Sequence, residues 1–226
     1  MKNRYEKNAK ISEREFRLIM KAFALDIPAL STAKLYGMNY RTIHRLYTLL
    51  RERLVRLALL ELEPFAGEIE VDESYFGARR VRGKRGRGAS GKTPVLGLHK
   101  RGDRVFLSVV KNCSKRELMP ILKGHVLEAS DVYTDGWKAY DGLVTSGYSH
   151  HRVHHHENEF ARGKNHVNGI ESFWSYAKYR MMKLRGVRKD KFLTHLKESE
   201  WRWNHRNHNI YSLLLLNLRR QPLSAT

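Results

Sequence analysis

The sequence predicts a small all-helical domain followed by a larger α/β domain, on the strength of two observations. Residues 11–63 carry apolar side chains at helical spacing, interrupted by isolated proline and glycine residues. From Glu68 onward, short alternating or apolar runs typical of strands take turns with short helical segments. We therefore place the domain boundary at residues 64–67, which gives domains of residues 1–63 and 64–226.

The helical domain is predicted to contain three helices. Apolar residues recur at helical spacing over residues 11–23, which predicts the first helix. Pro28 can open the second helix and Gly37 can end it, because proline suits the first turn and glycine tolerates a positive φ. Asn39 is a good N-cap for a third helix over residues 40–63.

The larger domain is predicted to alternate strands with helices. In "EIEVDESYFG" apolar and polar residues alternate as they do in a half-buried strand. A Gly-Asp pair between two apolar runs is typical of a hairpin turn. The strands fall in residues 68–77, 95–110 (two strands), 131–135 and 148–156, and the helices in residues 114–126, 136–143, 165–184 and 189–207.

The chain is strongly basic. Its 226 residues include 43 Lys and Arg against 23 Asp and Glu, a formal net charge of +20. This charge favours a polyanionic partner, with nucleic acid ahead of a membrane surface. No apolar run approaches the ~20 residues of a membrane-spanning helix, and "MKNRYEKNAK" lacks a signal-peptide core. Cys113 is the only cysteine, which excludes an internal disulfide and a cysteine-based zinc ribbon and fits the reducing cytoplasm. We expect a cytoplasmic protein with no membrane partner.

The stretch "ALSTAKLYGMNYRTIHRLYT" has the pattern of a helix-turn-helix. Ala33 would let two helices cross closely, and Gly37 would supply the turn. Ile43 and Leu46 would pack the second helix on the first. The alternative is an ordinary three-helix core with a solvated basic face, and the net charge favours DNA binding over it. The second helix would expose residues suited to base edges and phosphates: Tyr40, Arg41, His44 and Arg45.

Three acidic residues are candidates for one metal site. Asp72 ends the first predicted strand, and Asp135 ends the strand "DVYTD". Glu171 lies on a predicted helix whose adjacent side carries an apolar stripe, so that a core would hold the helix in place. Acids at neighbouring strand ends repel each other, and Mg²⁺ relieves that repulsion while leaving positions for phosphate and water. Taken singly, each acid is more simply explained as a solvated surface residue, and only the three together favour a metal site.

Three segments, "VDESYFGARR", "YTDGWKAY" and "EFARGKNHVNGIESFWSYAK", resemble the DDE transposases of bacterial insertion sequences, in particular the short ISXO-like group. The resemblance covers residues 65–210, and 35 residues between Asp135 and Glu171 are typical of such enzymes. Its most specific element is a block of nine residues: Glu159, Phe160, His166, Asn168, Ile170, Glu171, Phe173, Trp174 and Lys178.

The resemblance implies an RNase H-like catalytic core, with a mixed sheet flanked by helices. By resemblance, Asp72, Asp135 and Glu171 are the catalytic and metal-binding triad, on two adjacent strands and a later helix. They would hold Mg²⁺ or Mn²⁺, as two ions, which can clamp the attacking and leaving oxygens of phosphoryl transfer. Asp131 and Glu73 are neighbouring acids that rank below these three.

The implied function is a transposase that binds the ends of an insertion sequence, cleaves phosphodiester bonds there and transfers the strand. Its partner would be double-stranded DNA, both the terminal inverted repeats of the element and the target. Since two ends must be brought together, we expect a homodimer or a larger assembly on DNA, associated with the nucleoid of a bacterial cell. Two alternatives stay open: a helix-turn-helix regulator with an inactive core, and an RNase H-like nuclease that cleaves without joining.

Further DNA contacts are expected close to the acids. Lys178 lies on the same helix face as Glu171, about 10 Å away along the axis, which suits a phosphate contact better than an ion pair. The alternative is a solvated helix lysine. The resemblance adds His166 and Asn168. A Gly-rich basic loop after the first strand could follow the DNA backbone, or could be a flexible solvated loop. Its candidate contacts are Arg79, Arg80, Arg82, Lys84, Arg85 and Arg87.

A histidine-rich cluster raises the question of zinc. Its spacing lacks a clean ligand pattern, and no cysteine supports it, so a zinc site is disfavoured. The cluster consists of His150, His151, His154, His155, His156 and His166.

Overall fold

The computed structural model describes residues 3–77, 91–135, 140, 142–153 and 166–224. The chain divides into two compact units. The helical unit is made of Met1–Leu60 and Lys183–Thr226, and the sheet unit is Glu61–Met182. The linker predicted at residues 64–67 lies just after the first of these boundaries. The second boundary has no counterpart in the prediction, which kept everything after the linker in one domain.

Five helices form the helical unit within the described residues. They are α1 (Glu13–Ala24), α2 (Ala29–Tyr36), α3 (Tyr40–Leu60), α6 (Lys189–Asn204) and α7 (Ile210–Arg220). Ser12 caps α1 through a capping box. Gly37 ends α2 in the left-handed conformation, with a φ of 62°, and Asn39 Oδ1 accepts the backbone N–H of Arg41 at 2.8 Å where α3 begins. The roles of Gly37 and Asn39 were predicted, and the cap at Ser12 was not. Helix α3 stops at Leu60 rather than at residue 63, and α7 was not predicted.

The C-terminal helices share a core with the N-terminal ones. Phe23 of α1, Leu46 of α3, Trp201 of α6 and Leu214 of α7 belong to one buried apolar cluster. The helical unit therefore needs both ends of the chain. Deleting residues 1–63 would expose the apolar faces of α6 and α7 to water, so point substitutions test this unit better than truncation does.

A five-stranded mixed sheet forms the sheet unit. Its strands are β1 (Glu68–Phe76), β2 (Thr93–Lys100), β3 (Val105–Val109), β4 (Asp131–Thr134) and β5 (Ser149–Arg152), and its helices include α4 (Lys115–His125) and α5 (Asn168–Met182). The strand order is β3-β2-β1-β4-β5. The pairs β1–β2 and β2–β3 are antiparallel, while β1–β4 and β4–β5 are parallel. This is the RNase H-like mixed sheet, and it confirms the predicted α/β fold class.

The two faces of the sheet differ in character. Successive residues of a strand point to opposite faces. Ile69 and Val71 of β1 join Leu118 of α4 in the apolar core of the unit. Glu70 and Asp72, on the other face of β1, are hydrogen-bonded to α5. The face under α5 is therefore the one that carries the acids.

The predicted helix over residues 136–143 lies largely outside the described residues, and a short 3₁₀ helix, Val144–Ser146, follows it. In the described part of the chain, no helix has the length and apolar character needed to span a membrane.

Candidate active site

Two of the predicted catalytic acids occupy matching positions on neighbouring parallel strands. In the pairing of β1 with β4, Glu70 stands opposite Tyr133. The pairing ends at these two residues. Asp72 lies two residues further along β1, and Asp135 lies two residues beyond Tyr133, directly after β4. Both acids therefore come from the same end of two neighbouring parallel strands. Asp72 lies within β1 rather than at its end as predicted, because pairing with β2 continues to Phe76.

Helix α5 carries the third acid, Glu171, and is hydrogen-bonded to β1. Glu171 is exposed in the first turn of α5. The helix can lie close to the sheet because Gly97 of β2, the partner of Asp72, has no side chain. A Cβ at Gly97 would come within 2.8 Å of Ile170 and 2.5 Å of Trp174. The indole Nε1 of Trp174 also donates a hydrogen bond of 3.0 Å to Asp72 Oδ2. Four residues of the predicted apolar stripe are buried: Ile170, Phe173, Trp174 and Ala177.

Electrostatic interactions connect the three acids. Burial raises the pKa of the Asp72 carboxyl, and the negative charges of Asp135 and Glu171 raise it as well. Hydrogen bonds from the Glu73 backbone N–H and the Trp174 indole act in the opposite direction, and the net result is a pKa of about 6. An acid whose pKa is raised in this way is stabilised by a proton or by a nearby cation. Positive charge is therefore favoured at Asp72.

The chemistry of these acids fits a hard divalent cation. Asp72 and Asp135 are partly buried and Glu171 is exposed, so solvent reaches all three. Carboxylate oxygens are the ligands that Mg²⁺ prefers in proteins. Among the described residues, however, no group of three or more His, Cys, Asp or Glu side chains has the arrangement of a formed metal centre. The donor set matches Mg²⁺ or Mn²⁺ by residue type and by charge.

The sequence around these acids matches a known family. The family model of the ISXO2-like transposase domain covers residues 64–204, which is more than half of the chain. The chain belongs to this transposase family. An uncharacterized transposase-like protein of Haemophilus influenzae is 42% identical over 101 residues, which are 45% of this chain and 81% of that protein. An uncharacterized protein in the transposable element ISH50 of Halobacterium salinarum is 30% identical over 181 residues, which are 73% of this chain and 60% of the relative's length.

The two lower-ranked acids of this transposase-family domain have other partners. The hydroxyl of Tyr140 donates a hydrogen bond to Glu73. Burial raises the pKa of Tyr140 well above its usual value, and the charge of Glu73 raises it further, so this phenol stays protonated and can donate. Asp131 Oδ1 lies 2.8 Å from Nε2 of His151. Both acids are therefore engaged by neighbouring side chains.

One lysine of the transposase domain lies near Asp72, and a second lysine lies near the first. Lys178 is exposed on α5, and its Nζ lies 6.0 Å from the centre of the Phe76 ring. Partial desolvation lowers the pKa of Lys178, the charge of Asp72 opposes this, and the charge of Lys92 adds to it. Lys178 therefore lies within electrostatic range of both an acid and a second lysine. The other basic residues predicted to contact DNA here lie outside the described residues: Arg79, Arg80, Arg82, Lys84, Arg85 and Arg87.

The described members of the histidine cluster contact three different partners. His150 Nε2 lies 2.9 Å from Thr134 Oγ1, and His151 lies beside Asp131. His166 Nδ1 lies 3.4 Å from a carboxylate oxygen of Glu70, and Asn168 follows it as the exposed first residue of α5. The remaining members lie outside the described residues: His154, His155 and His156.

Glu70 is a polar residue of this site that was not among the predicted ones. It is 1% exposed, and its carboxylate contacts both His99 and Arg101 of the sheet unit. One signal in the sequence could have revealed it. Glu70 shares the parity of Asp72 along β1, so both lie on the face that a helix covers, and a buried acid requires partners there.

In the helical unit, the residues predicted to pack the helix-turn-helix are buried, and those predicted to contact DNA are exposed. Ala33, Ile43 and Leu46 are buried. Arg45 also forms an ion pair of 2.6 Å with the buried Glu6, which makes it a structural residue as well. The four residues predicted to contact DNA are exposed: Tyr40, Arg41, His44 and Arg45.

Proposed function

We propose that this chain is a DNA transposase that cuts DNA at the ends of its element and joins the cut strand to target DNA. One observation carries the proposal. Asp72 lies where the charges of Asp135 and Glu171 both act on it, and its pKa is raised to about 6. A set of acids that favours positive charge, in a family of transposase domains and on a chain of net charge +20, fits metal-dependent chemistry on DNA phosphate.

The three acids would together bind the metal ions. We assign Asp72, Asp135 and Glu171 as the ligands of two Mg²⁺ or Mn²⁺ ions. Such ions, when bound, lower the pKa of an attacking water and offset the charge of the phosphate. Trp174 keeps one oxygen of Asp72 oriented through its hydrogen bond. Lys178 offers a positive charge to the phosphates beside the bond that is cut.

Two phosphoryl transfers would take place at this site. In the first, water attacks the phosphodiester at the end of the element, and the departing 3′ oxygen takes up a proton to become a hydroxyl. In the second, that 3′-hydroxyl attacks a phosphodiester of the target and displaces another 3′ oxygen. Each step forms one P–O bond and breaks one. No covalent bond between protein and DNA is required.

The helical unit would select the ends of the element. Tyr40, Arg41 and His44 are exposed in the first turns of α3, a helix whose other face is anchored in a core. Side chains of this type suit base edges and phosphates in the major groove. Since an element has two ends, joining them to one target requires at least two copies of the chain.

The proposal is tested with the full chain and linear double-stranded DNA that carries the sequences flanking its gene. We expect cleavage at one defined bond and joining of the released 3′ end to a second duplex, in Mg²⁺ or Mn²⁺ but not in EDTA. Asp72→Asn, Asp135→Asn and Glu171→Gln should each abolish cleavage while binding to DNA persists. In addition, Mn²⁺ should raise the Tm of the wild-type chain more than that of any of the three variants.

Asp131→Asn is the matched control, because it removes a carboxylate from β4, the strand that Asp135 directly follows. It should retain cleavage. Full cleavage by Asp72→Asn would exclude the assigned triad. Cleavage without joining would identify a nuclease, and selective binding without cleavage would identify a DNA-binding regulator.

A further inference from the structure

Glu70 is the most deeply buried acid on the face of the sheet that α5 covers. Its side chain is 1% exposed, and four groups approach its two oxygens. Oε2 accepts the backbone N–H of Ile170 at 2.8 Å and lies 3.3 Å from Nδ1 of His99. Oε1 accepts a hydrogen bond from Nε of Arg101 at 3.0 Å and lies 3.4 Å from Nδ1 of His166. A buried carboxylate with this many partners is part of a fixed arrangement.

The charge state of Glu70 follows from these contacts. Burial alone would raise its pKa, but the contact with His99, the N–H of Ile170 and the guanidinium of Arg101 together lower its pKa below the usual value. The same carboxylate accepts hydrogen bonds from Arg101, which follows β2, and from Ile170 at the start of α5.

The contacts of Glu70 converge on the start of α5. The first N–H groups of a helix have no partner within the helix, and a negative charge near them is stabilised by the helix dipole. Ile170 contributes one of these groups, and its N–H points to Glu70. Arg101, which is held by Glu70, also donates through Nη2 to the backbone carbonyl of His166 at 2.5 Å. Glu70 therefore binds the N–H of Ile170, and its partner Arg101 binds the carbonyl of His166, so the pair holds both ends of the turn that leads into α5.

The close approach depends on Gly169. A Cβ at this position would overlap the ring of His99 and lie 2.8 Å from Oε2 of Glu70. No side chain can be added there unless the start of α5 moves away from the sheet. Glu171 directly follows Ile170 in the chain, so the same contacts determine where its backbone lies.

We propose that Glu70, held by Arg101, is a positioning residue that caps α5 and thereby fixes Glu171 in its place relative to Asp72. Glu70 need not touch DNA or metal to do this. The inference rests on the proposed function for its catalytic consequence, but the cap itself can be measured without DNA.

The test compares Glu70→Gln, Glu70→Ala and Gly169→Ala with the wild-type chain by hydrogen exchange and mass spectrometry of the peptide spanning residues 166–175. Glu70→Ala should speed exchange in this peptide by about tenfold or more, because the lost bond is one to a charged group. Glu70→Gln keeps an acceptor for Ile170 and should show a smaller increase. Gly169→Ala should speed exchange as well, although alanine ordinarily favours a helix.

Glu68→Gln is the matched control. It makes the same charge change two positions earlier on the same strand face, at a carboxylate that contacts Arg101 and Tyr133. It should leave exchange in the α5 peptide within about twofold of wild type. The α4 peptide should be unaffected in all variants, which separates a local cap from a general loss of stability.

The functional readout is the single-turnover rate of end cleavage, set against the apparent Kd for end DNA. Glu70→Gln and Gly169→Ala should lower the rate by about 10- to 100-fold, because small displacements of a catalytic group have effects of this size, and should leave the Kd nearly unchanged. Unchanged exchange in the α5 peptide, or equal increases in the α4 and α5 peptides, would overturn the cap. A wild-type chain that cleaves no DNA would count against the proposed function alone, since exchange still decides the cap.

Discussion

The indole N–H of Trp174 donates a hydrogen bond of 3.0 Å to Oδ2 of Asp72. This bond joins α5, which carries Glu171, to β1, which carries Asp72. Trp174 also packs edge-on against Phe76, with ring centres 6.0 Å apart, so its position is set by apolar contacts and not by the hydrogen bond alone. The polar end of a packed aromatic residue thus orients a carboxylate.

Trp174→Phe should separate these two roles. The ring keeps most of the packing, while the donor to Asp72 is lost, which should raise the pKa of Asp72 further, because that bond lowers it. We expect cleavage to fall several-fold, its pH profile to shift to higher pH, and the free energy of unfolding to drop by about 1 kcal/mol. Trp203→Phe on α6 is the control and should leave the pH profile unchanged. An identical profile in both variants would show that the bond has no influence on Asp72.

Asp72→Asn should stabilise the metal-free protein at neutral pH, even though it abolishes cleavage. The unfolded chain loses the proton of Asp72 near the ordinary pKa of 3.8, and the folded chain near about 6. Ionised Asp72 therefore costs no stability below the lower value, and its cost grows as the pH rises through the interval between them. Above the higher value the full cost is present, at most about 3 kcal/mol.

Urea unfolding of the wild-type and Asp72→Asn chains in EDTA measures this difference. The advantage of the variant should be small at about pH 4 and should reach its full value above about pH 6.5. Mn²⁺ should reduce it, because the ion stabilises the wild-type carboxylate. An advantage that is constant with pH would mean that Asp72 has an ordinary pKa in the folded chain.

Gly97→Ala should displace α5 from the sheet. The added Cβ would lie 2.5 Å from Trp174 and 2.8 Å from Ile170, and overpacking of this kind costs about 1–3 kcal/mol. Cleavage should fall along with the free energy of unfolding. Gly124→Ala is the control, because a Cβ at Gly124 in α4 meets no atom within 4 Å. That variant should gain about 0.5–1 kcal/mol from helix propensity. Equal stabilities of the two variants would contradict the close approach of α5 at Gly97.

Lys178→Ala tests the contact with DNA phosphate. We expect slower cleavage and joining, and a salt dependence of end binding that is reduced by about one unit of slope, because one phosphate contact is lost. Lys123→Ala removes an exposed lysine from α4, on the opposite face of the sheet, and should change neither quantity. Equal, negligible effects of both substitutions would show that Lys178 is only surface charge.

Arg41→Ala and His44→Ala test selection of the ends by α3. Both side chains are exposed, so the free energy of unfolding should change by less than about 0.5 kcal/mol. Competition between end DNA and random DNA should show a larger loss of preference than of general affinity. Arg45→Ala should behave differently, since it removes the partner of the buried Glu6 and should cost about 1–3 kcal/mol of stability. If all three variants kept the preference for end DNA, α3 would have no part in selection.

Local signals account for the features that the sequence predicted well. The turn at Gly37 and the cap at Asn39 follow from the conformations those residues prefer, and the end of α2 and the start of α3 agree with the structure. All five strands lie where short alternating or apolar runs indicated them. The buried stripe on α5 was also predicted, because helical spacing alone defines it.

The missed features depend on residues far apart in the chain. Helices α6 and α7 pack with the N-terminal helices through Trp201 and Leu214, although nothing in their own periodicity indicates which core they join. Asp72 lies inside β1 because β2 pairs with the strand beyond it. A glutamate such as Glu70 is usually exposed, and Glu70 is buried only because α5 packs over it.

The order of the elements, the α/β class and the resemblance to a transposase family could all be read from the sequence, which also led us to propose Asp72, Asp135 and Glu171 as the metal-binding acids. These properties follow from periodicity, turn residues and motifs, all of which lie within short stretches of chain. Three features became visible only in the folded chain: Trp174 donates a hydrogen bond to Asp72, Glu70 lies beneath the start of α5, and the N-terminal and C-terminal helices form one unit. Burial and hydrogen bonding depend on which segments pack together. Segments far apart in the chain carry no local signal that specifies their packing partner, so these features could not be predicted from either segment alone.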